Sequence, residues 1–457
     1  MKKILLSLIC VAAIVSCKKE TPVDYVLFSG KIANAKIKNL KIVTLDRKEV
    51  KTIVLAQDGS FTDTLLVENG YLNFSLGREY STFYVEKGYA LTLNMDAAKF
   101  DESIAYTGKG SVENNYLKDK FSFNQSLSKA SNMREISKLD EVAFIAKIDS
   151  VKNVSQSFLN DAEGLSPDFL HLEESVIVLN SVSKLQNYER YHEHFAKLPG
   201  FKVSEDFPVV TDGINMQDEK LLGLEVYKSV MTNFYMAKVE DKEDESGLAY
   251  LAVIEKEVSN QKVKDVLVYD AAKMSLNYTD NLEGFYAKFL EMEKNTIFKD
   301  EITASYEELQ SISPGKVSPK FVDYVNIKGG TTSLDDLKGK FVYVDVWATW
   351  CGPCKAEIPS LKALEKEYHK ENIEFVSISV DKTTDKDKWI AMIKDKKLEG
   401  IQLFASNSWS SEFVKGYLIK GIPRFILIDP QGNIVNANAP RPSSEKIKGL
   451  LNTSLGI

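Results

Sequence analysis

An apolar, β-rich run that leads directly into a cysteine pair constrains this chain more than any other stretch. The run extends from Phe341 to Trp347, and four residues later Cys351 and Cys354 open a pattern of apolar residues at helical spacing. We therefore predict a strand, a short loop and a helix, with Cys351 at the helix N-terminus. The unpaired backbone N–H groups and the positive end of the helix dipole at that point favour the thiolate, which is the reactive form of cysteine.

The two residues between the cysteines, Gly352 and Pro353, place the sulfurs on one helical turn, close enough for a reversible disulfide. This arrangement indicates redox chemistry. The alternative is half of a zinc site, since two thiolates at this spacing can hold a metal ion. The remaining cysteines, Cys10 and Cys17, lie at the far N-terminus, and the four histidines form no ligand pair near Cys351. We therefore expect a redox dithiol with neither a metal nor another cofactor.

Length and charge limit the number of domains and the classes of partner that this chain can have. The chain has 457 residues, 44% hydrophobic and 27% charged, which is typical of a globular protein with two or three domains. The formal net charge is −7, and loss of Lys2 and Lys3 with a leader peptide would make it more negative by two. Because nucleic-acid binding requires a basic face, this charge argues against a nucleic-acid partner.

The first residues have the features of a targeting segment. Met1 to Lys3 is basic, and Ile4 to Val15 is apolar but too short for an ordinary transmembrane helix. Residues 14–17, Ile-Val-Ser-Cys, resemble a bacterial lipoprotein box, which implies a signal peptide over residues 1–16 and a lipid on Cys17. Plain secretion is the alternative. We expect a lipid-anchored protein of the bacterial cell envelope that faces the periplasm.

Hydrophobic periodicity divides the rest of the chain into three predicted domains. Residues 17–110 contain short alternating runs separated by turn signals, which predict a small antiparallel β-sandwich or barrel. Residues 111–312 change to helical spacing, and we expect a helical bundle with His192 and His194 on its surface. Residues 313–457 alternate strands and helices and predict an α/β domain. The predicted β-runs are Tyr25–Phe28, Leu40–Leu45, Thr52–Ala56, Phe61–Leu66, Tyr71–Leu76, Ser81–Val85 and Leu91–Met95.

The segment from Trp347 to Cys354, Trp-Ala-Thr-Trp-Cys-Gly-Pro-Cys, resembles the thioredoxin active site. The wider segment is similar to the TlpA/ResA branch, the membrane-anchored extracytoplasmic thioredoxins. The resemblance covers about the last third of the chain and implies an α/β thioredoxin fold there. The N-terminal β-domain resembles the DUF4369-type domain that precedes some of these modules, and this second resemblance implies no chemistry.

The resemblance also implies roles for individual residues. Asp345, six residues before Cys351, matches the buried acid that helps to deprotonate the second cysteine, and Glu357 matches a helix glutamate of ResA-like proteins. We predict a raised pKa for Asp345 and a role as proton acceptor for Cys354. For Glu357 a second catalytic acid and an ordinary helix-surface residue are both open. The residues expected to contact substrate are Trp350, Gly352, Pro353 and the cis-proline loop at Ile422 and Pro423.

Taken together, these features predict a membrane-anchored, extracytoplasmic thiol-disulfide oxidoreductase. The Gly-Pro pair between the cysteines is that of thioredoxin, which is reducing, so we predict a reductase of protein disulfides. The resemblance implies a membrane thiol reductant of the CcdA or DsbD kind and, for some members, apocytochrome c as substrate. Two alternatives remain open: a disulfide oxidase or isomerase, and a lipid-anchored binding or assembly protein whose thioredoxin module is secondary. A thiol peroxidase is disfavoured, because Val344 stands where its motif requires proline.

Overall fold

The computed structural model describes residues 23–208, 211, 214–241, 244 and 246–457. The predicted signal peptide, residues 1–16, and the lipidation site Cys17 lie outside these residues. The chain divides into two compact units. The described residues up to Ile214, together with Lys220–Val230, form the first unit, and Asn215–Glu219 with Met231–Ile457 form the second. The three domain boundaries proposed from the sequence remain predictions.

Two four-stranded sheets form the N-terminal part of the first unit, in the orders β4-β1-β7-β8 and β3-β2-β5-β6. Phe28 of one sheet stacks on Phe83 of the other, with ring centroids 5.1 Å apart, and both side chains are fully buried. The strands are β1 Val26–Ala33, β2 Asn39–Val43, β3 Glu49–Val54, β4 Ser60–Leu65, β5 Gly70–Leu76, β6 Glu79–Val85, β7 Ala90–Asp96 and β8 Ala105–Lys109.

The seven β-rich runs seen in the sequence all become strands, and each places at least one apolar side chain in the core. Two features were not predicted. The strand β8 has only one buried residue, Tyr106, so its sequence carries little alternation. The expectation of an entirely antiparallel domain is wrong for one pair, because β1 and β7 are parallel. Of the strands between them, β4 joins the sheet of β1, whereas β2, β3, β5 and β6 form the other sheet.

The first unit also contains helices, several of which have side-chain caps. Asp140 and Ser166 cap α4 and α5 with their side chains, and Pro167 occupies the first turn of α5, where its missing N–H costs nothing. The expectation that His192 lies on the surface is wrong: it is 6% exposed, and its Nδ1 lies 2.9 Å from the Ser137 carbonyl oxygen. His194, two residues on, faces another side of the helix and is exposed. The helices are α1 Phe100–Ser103, α2 Ser111–Ala130, α3 Met133–Ile136, α4 Glu141–Asn160, α5 Pro167–Gln186 and α6 Tyr188–Ala196.

Five further helices lead to the C-terminal domain. The side chains of Asn260 and Asn295 cap α9 and α11 by accepting hydrogen bonds from backbone N–H groups of the first turn. Leu251, Val263, Phe285 and Phe289 are fully buried and supply part of the apolar core among these helices. The helices are α7 Glu225–Ala237, α8 Leu248–Glu257, α9 Gln261–Ser275, α10 Leu282–Met292 and α11 Thr296–Gln310.

The C-terminal domain is a seven-stranded sheet in the order β10-β9-β13-β12-β11-β14-β15, flanked by helices. The predicted thioredoxin order is confirmed, and β11 has the predicted bounds. It runs parallel to β12 and antiparallel to β14. The loop with the cysteines follows its carboxyl end and leads into α12. The elements are β9 Tyr324–Asn326, β10 Thr331–Thr332, β11 Phe341–Trp347, α12 Gly352–Glu367, β12 Ile373–Ser379, α13 Lys386–Lys396, β13 Ile401–Phe404, α14 Glu412–Gly416, β14 Arg424–Ile428, β15 Ile434–Asn436 and α15 Lys446–Leu455.

Packing on one face of this sheet holds α12 and α15 in place. Leu361 and Leu364 of α12 and Leu451 of α15 join a buried cluster that includes Tyr343 of β11. Burial of each leucine contributes roughly 2 kcal/mol. This packing positions the start of α12, and with it the cysteine pair. In the described part of the chain no helix has the length and apolar character needed to cross a membrane.

Candidate active site

The two cysteines form a disulfide where the loop after β11 enters α12. Cys351 is the N-cap residue of the helix, and Cys354 lies within its first turn, with the two Cα atoms 5.3 Å apart. The backbone N–H of Cys354 points at the Cys351 sulfur, at an N to Sγ distance of 3.1 Å. When the pair is reduced, this N–H group and the helix dipole stabilise negative charge on Cys351. The cysteine that the sequence analysis placed at a helix N-terminus does occupy that position, and its role as nucleophile remains a prediction.

Access to the disulfide is restricted. Cys351 is 4% exposed and Cys354 is 5% exposed, whereas Trp350 beside them is 58% exposed. Gly352 and Pro353 are also exposed. These three exposed residues adjoin the disulfide in the chain, and their contact with a substrate remains a prediction. Among the residues that the structure describes, no cluster of three or more His, Cys, Asp or Glu side chains is arranged to hold a metal ion.

A buried aspartate that the sequence analysis missed holds the loop before Cys351. Asp381 is fully buried and accepts hydrogen bonds from the Thr349 backbone N–H at 2.9 Å and the Thr349 hydroxyl at 2.8 Å. The Ser379 hydroxyl donates a further bond to it at 2.8 Å. Neighbouring parallel strands end at the same edge of a sheet, so the residues after β12 are expected near the loop after β11. That topological argument could have identified Asp381 from the sequence.

Asp345, on the central strand β11, lies behind Cys354. Both residues line a narrow cavity of about 10 Å³, close to the smallest volume that holds one water molecule. Burial raises the pKa of Asp345 to about 8, and the negative charges of Glu357 and Glu365 add to this effect, while a hydrogen bond with Ser377 opposes it. The raised pKa agrees with the expectation from the sequence. A carboxyl group with a raised pKa and the second cysteine therefore share one cavity.

Glu365 lines the same cavity and was not identified from the sequence. Burial raises the pKa of Glu365 to about 7, with Glu399 adding repulsion and Lys362 opposing the shift. Glu365 follows Cys354 by eleven residues, which is three helical turns, so both lie on one face of α12. This spacing could have identified Glu365 from the sequence. Asp345 and Glu365 are thus two carboxyl groups that line the cavity at Cys354.

Glu357 is 8% exposed, so the interpretation of it as an ordinary surface residue is wrong. Its carboxylate accepts two hydrogen bonds from Ser443, from the backbone N–H at 3.0 Å and from the hydroxyl at 2.9 Å. These bonds join α12 to the segment before α15. Glu357 influences Asp345 through its charge but does not line the cavity at Cys354. A catalytic role for Glu357 remains a prediction.

The predicted substrate loop contains a cis peptide bond between Ile422 and Pro423. In the antiparallel pairing of β11 with β14, Val346 lies opposite Arg424. Pro423 therefore lies beside the carboxyl end of β11, where the chain continues towards Cys351. The two sequence motifs, 65 or more residues apart in the chain, meet at one edge of the sheet.

Arg424, directly after the cis-proline, fastens this loop to the segment that follows α9. Its Nη1 donates to the Asn277 carbonyl oxygen and, at 3.0 Å, to Asn438 Oδ1. The guanidinium lies over the Tyr278 ring, 5.6 Å from its centroid. Arg424 is 3% exposed, and burial lowers the pKa of its guanidinium to about 10. Sequence reasoning missed this residue because two of its partners, Asn277 and Tyr278, lie far earlier in the chain, after α9.

Loss of this tether should destabilise the fold. We expect Arg424→Met to lower the free energy of unfolding by about 2–4 kcal/mol, because it leaves the Asn277 carbonyl and the Asn438 amide without their donor. Urea unfolding would measure the change, and Arg441→Met, at an exposed arginine, is the matched control. Equal unfolding midpoints for the two variants would contradict a tethering role.

Comparisons with known proteins agree with this geometry. Residues 313–451 match the Redoxin family model. ResA thiol-disulfide oxidoreductases are relatives: that of Bacillus cereus is 27% identical over 146 residues, which are 32% of this chain and 81% of the relative. The Bacillus subtilis protein is 31% identical over 126 residues, 28% of this chain and 67% of the relative. A crystal structure of a Bacteroides vulgatus protein described as a thiol-disulfide oxidoreductase is 41% identical, covers 32% of this chain and 99% of its own, and has a TM-score of 0.29.

The sequence relatives and the dithiol at the start of α12 point to one family. Through its C-terminal domain, this chain belongs to the thioredoxin family of thiol-disulfide oxidoreductases.

Proposed function

We propose that this thiol-disulfide oxidoreductase works as a reductase of protein disulfides at the outer side of a bacterial membrane. The observation that carries the proposal is the placement of the dithiol. Cys351 caps α12, and Cys354 shares a cavity with Asp345, whose pKa of about 8 suits proton transfer near neutral pH.

The reaction begins with the reduced dithiol. The Cys351 thiolate attacks one sulfur of a substrate disulfide, a mixed disulfide forms, and the substrate's other sulfur leaves as a thiolate. Asp345 then accepts the proton of the Cys354 thiol, directly or through one water molecule. The Cys354 thiolate attacks the Cys351 sulfur and releases the substrate's second thiolate. Two electrons pass to the substrate, and the enzyme is left with the Cys351–Cys354 disulfide.

The direction of electron flow is part of the proposal. The Gly352-Pro353 pair is that of thioredoxin, whose potential is about −270 mV. A reductase outside the cytoplasm must regain electrons across the membrane, so a membrane thiol reductant of the CcdA or DsbD kind is the expected partner. Protein disulfides are the expected substrates, apocytochrome c among them.

Anchoring through Cys17 is likewise proposed from the sequence. The basic start, the short apolar run and the cysteine after Ser16 support a lipidated N-terminus. Partitioning of the full chain into a detergent phase, compared between wild type and Cys17→Ala, tests the anchor. Equal partitioning of the two proteins into the aqueous phase would contradict it.

A redox titration of the full chain tests the direction. After equilibration with mixtures of reduced and oxidised glutathione, we expect a dithiol potential near that of thioredoxin, below about −230 mV. The same protein should reduce insulin with dithiothreitol as electron donor. A potential above about −180 mV would instead favour the oxidase or isomerase alternative.

A further inference from the structure

The first unit contains a cleft with no assigned role. Helices α2, α4 and α5 line it, and its volume is about 330 Å³. Pockets for small organic ligands start at roughly 300 Å³. Asn124 and Ser128, which line the cleft, are exposed, so the cleft is accessible from solvent.

One wall of the cleft is aromatic. Phe123 of α2 and Phe158 of α4 stack with ring centroids 4.4 Å apart and planes 14° apart. The Tyr116 ring packs against the Phe158 ring, with the centroids 5.4 Å apart. All three residues line the cleft. Such a surface binds the apolar body of a ligand, and flat rings suit an aromatic or extended aliphatic group.

All the charged side chains that line the cleft are cationic. They are Lys120, Lys152 and Lys184, and no Asp or Glu lines it. Lys120 is paired with Glu173, a 1% exposed carboxylate that also accepts hydrogen bonds from the hydroxyl groups of Tyr71 and Tyr116. Glu173 is therefore already satisfied and does not neutralise the other two lysines.

Lys152 and Lys184 have no hydrogen-bond or ion-pair partner among the described residues. Both side chains are only partly exposed, and burial lowers the pKa of the Lys184 ammonium. An ammonium group that is withdrawn from water without a counter-charge is unfavourable. A bound anion would remove that cost.

We propose that this cleft binds an amphipathic anion: a small molecule with one carboxylate or sulfonate head, held by Lys152 and Lys184, and an aromatic or aliphatic body on the Phe123–Phe158 wall. The positive charge of the lining favours an anionic head group, and the stacked aromatic rings favour an apolar body. The proposal does not depend on the dithiol, because every residue that carries it belongs to the first unit.

Paired fluorescent probes test the proposal on the full chain. 1-Anilinonaphthalene-8-sulfonate carries the anionic head, and N-phenyl-1-naphthylamine has the same rings without it. We expect the sulfonate to bind the wild-type protein more tightly than the amine. Replacing both lysines, Lys152→Gln with Lys184→Gln, should weaken sulfonate binding about ten-fold or more, since charge-assisted contacts are lost. Amine binding should change less than two-fold.

Lys129→Gln is the matched control, since Lys129 is an exposed lysine of α2 that does not line the cleft. It should leave both probes unaffected. The single variant Lys152→Gln, with an unchanged thermal unfolding midpoint as the check of folding, preserves the test if the double variant is unstable. Octanoate should displace the sulfonate probe, and octan-1-ol should not.

Three results would overturn the proposal. The first is an absence of sulfonate binding to the wild-type chain. The second is equal sulfonate affinity in the wild type and the lysine variants, which would place the probe elsewhere. The third is equal competition by octanoate and octanol, which would show an apolar site with no preference for an anionic head.

Discussion

The Cys354→Ser variant is expected to stop after the first half-reaction and to accumulate as a mixed disulfide through Cys351. Cys351 retains its position at the N-terminus of α12 and can still attack, whereas the sulfur that would resolve the intermediate is gone. Turnover of insulin should fall by about 10³-fold, because both half-reactions need a sulfur nucleophile. Non-reducing electrophoresis followed by mass spectrometry would identify the proteins held by the variant in the source cell.

Cys351→Ser is the matched control for this experiment. It should lose turnover to the same extent but capture no substrate, because Cys354 lies within the first turn of α12 and lines the cavity of Asp345, whereas Cys351 caps the helix. If the two variants captured the same set of proteins in equal amounts, the assignment of Cys351 as the attacking sulfur and Cys354 as the resolving sulfur would be wrong.

Asp345→Asn is expected to slow turnover by roughly 10²-fold, the lower range for loss of a positioned general base. Since the pKa of Asp345 is about 8, the wild-type rate should rise with pH as the carboxyl loses its proton, and this rise should disappear in the variant. Initial rates of insulin reduction between pH 6 and pH 9 would measure both effects. Asp387→Asn, at an exposed aspartate of α13, is the control. A variant rate with the wild-type pH profile would show that another group accepts the proton.

The same aspartate should make the oxidised protein less stable as pH rises. Its pKa is near 3.8 when the chain is unfolded and about 8 when it is folded, so between these values the unfolded chain ionises first. Glu365 acts in the same direction, with a folded pKa of about 7. The contribution of these two carboxyl groups to the free energy of unfolding is therefore most favourable below about pH 4. It decreases progressively as the pH rises to about 8.

Removal of the Asp345 charge should flatten that dependence. At pH 9 we expect Asp345→Asn to be more stable than wild type by several kcal/mol, given about 1.4 kcal/mol for each pKa unit. Urea unfolding of the oxidised proteins at pH 5 and pH 9 would show it. Parallel changes in the two proteins would mean that Asp345 is not a buried acid in the folded chain.

Glu357→Gln separates the two interpretations left open for that residue. If Glu357 only joins α12 to Ser443, the variant should lose some stability and retain most of its turnover. It should also lower the pKa of Asp345, because a negative neighbour is removed. A loss of turnover similar to that of Asp345→Asn would instead identify Glu357 as a second acid.

The local sequence pattern was sufficient to predict much of the secondary structure. The alternation of apolar residues predicted seven strands of the first unit, and the run from Phe341 to Trp347 has the predicted bounds as β11. The position of Cys351 at the start of α12 followed from the change of periodicity after that run. These features depend on residues a few positions apart, for which backbone geometry alone determines which side chains share a face.

Contacts between distant segments could not be predicted from local periodicity. The parallel pairing of β1 with β7, the burial of His192, the bonds from Glu357 to Ser443 and the Arg424 tether all join residues that local periodicity treats separately. A buried polar group needs a partner, but its own neighbours in the sequence do not reveal which one. The sequence by itself determined the dithiol, its helix and most of the strands. Only the tertiary structure decided which carboxyl groups surround Cys354 and what holds the cis-proline loop, because those contacts form when separate elements pack together.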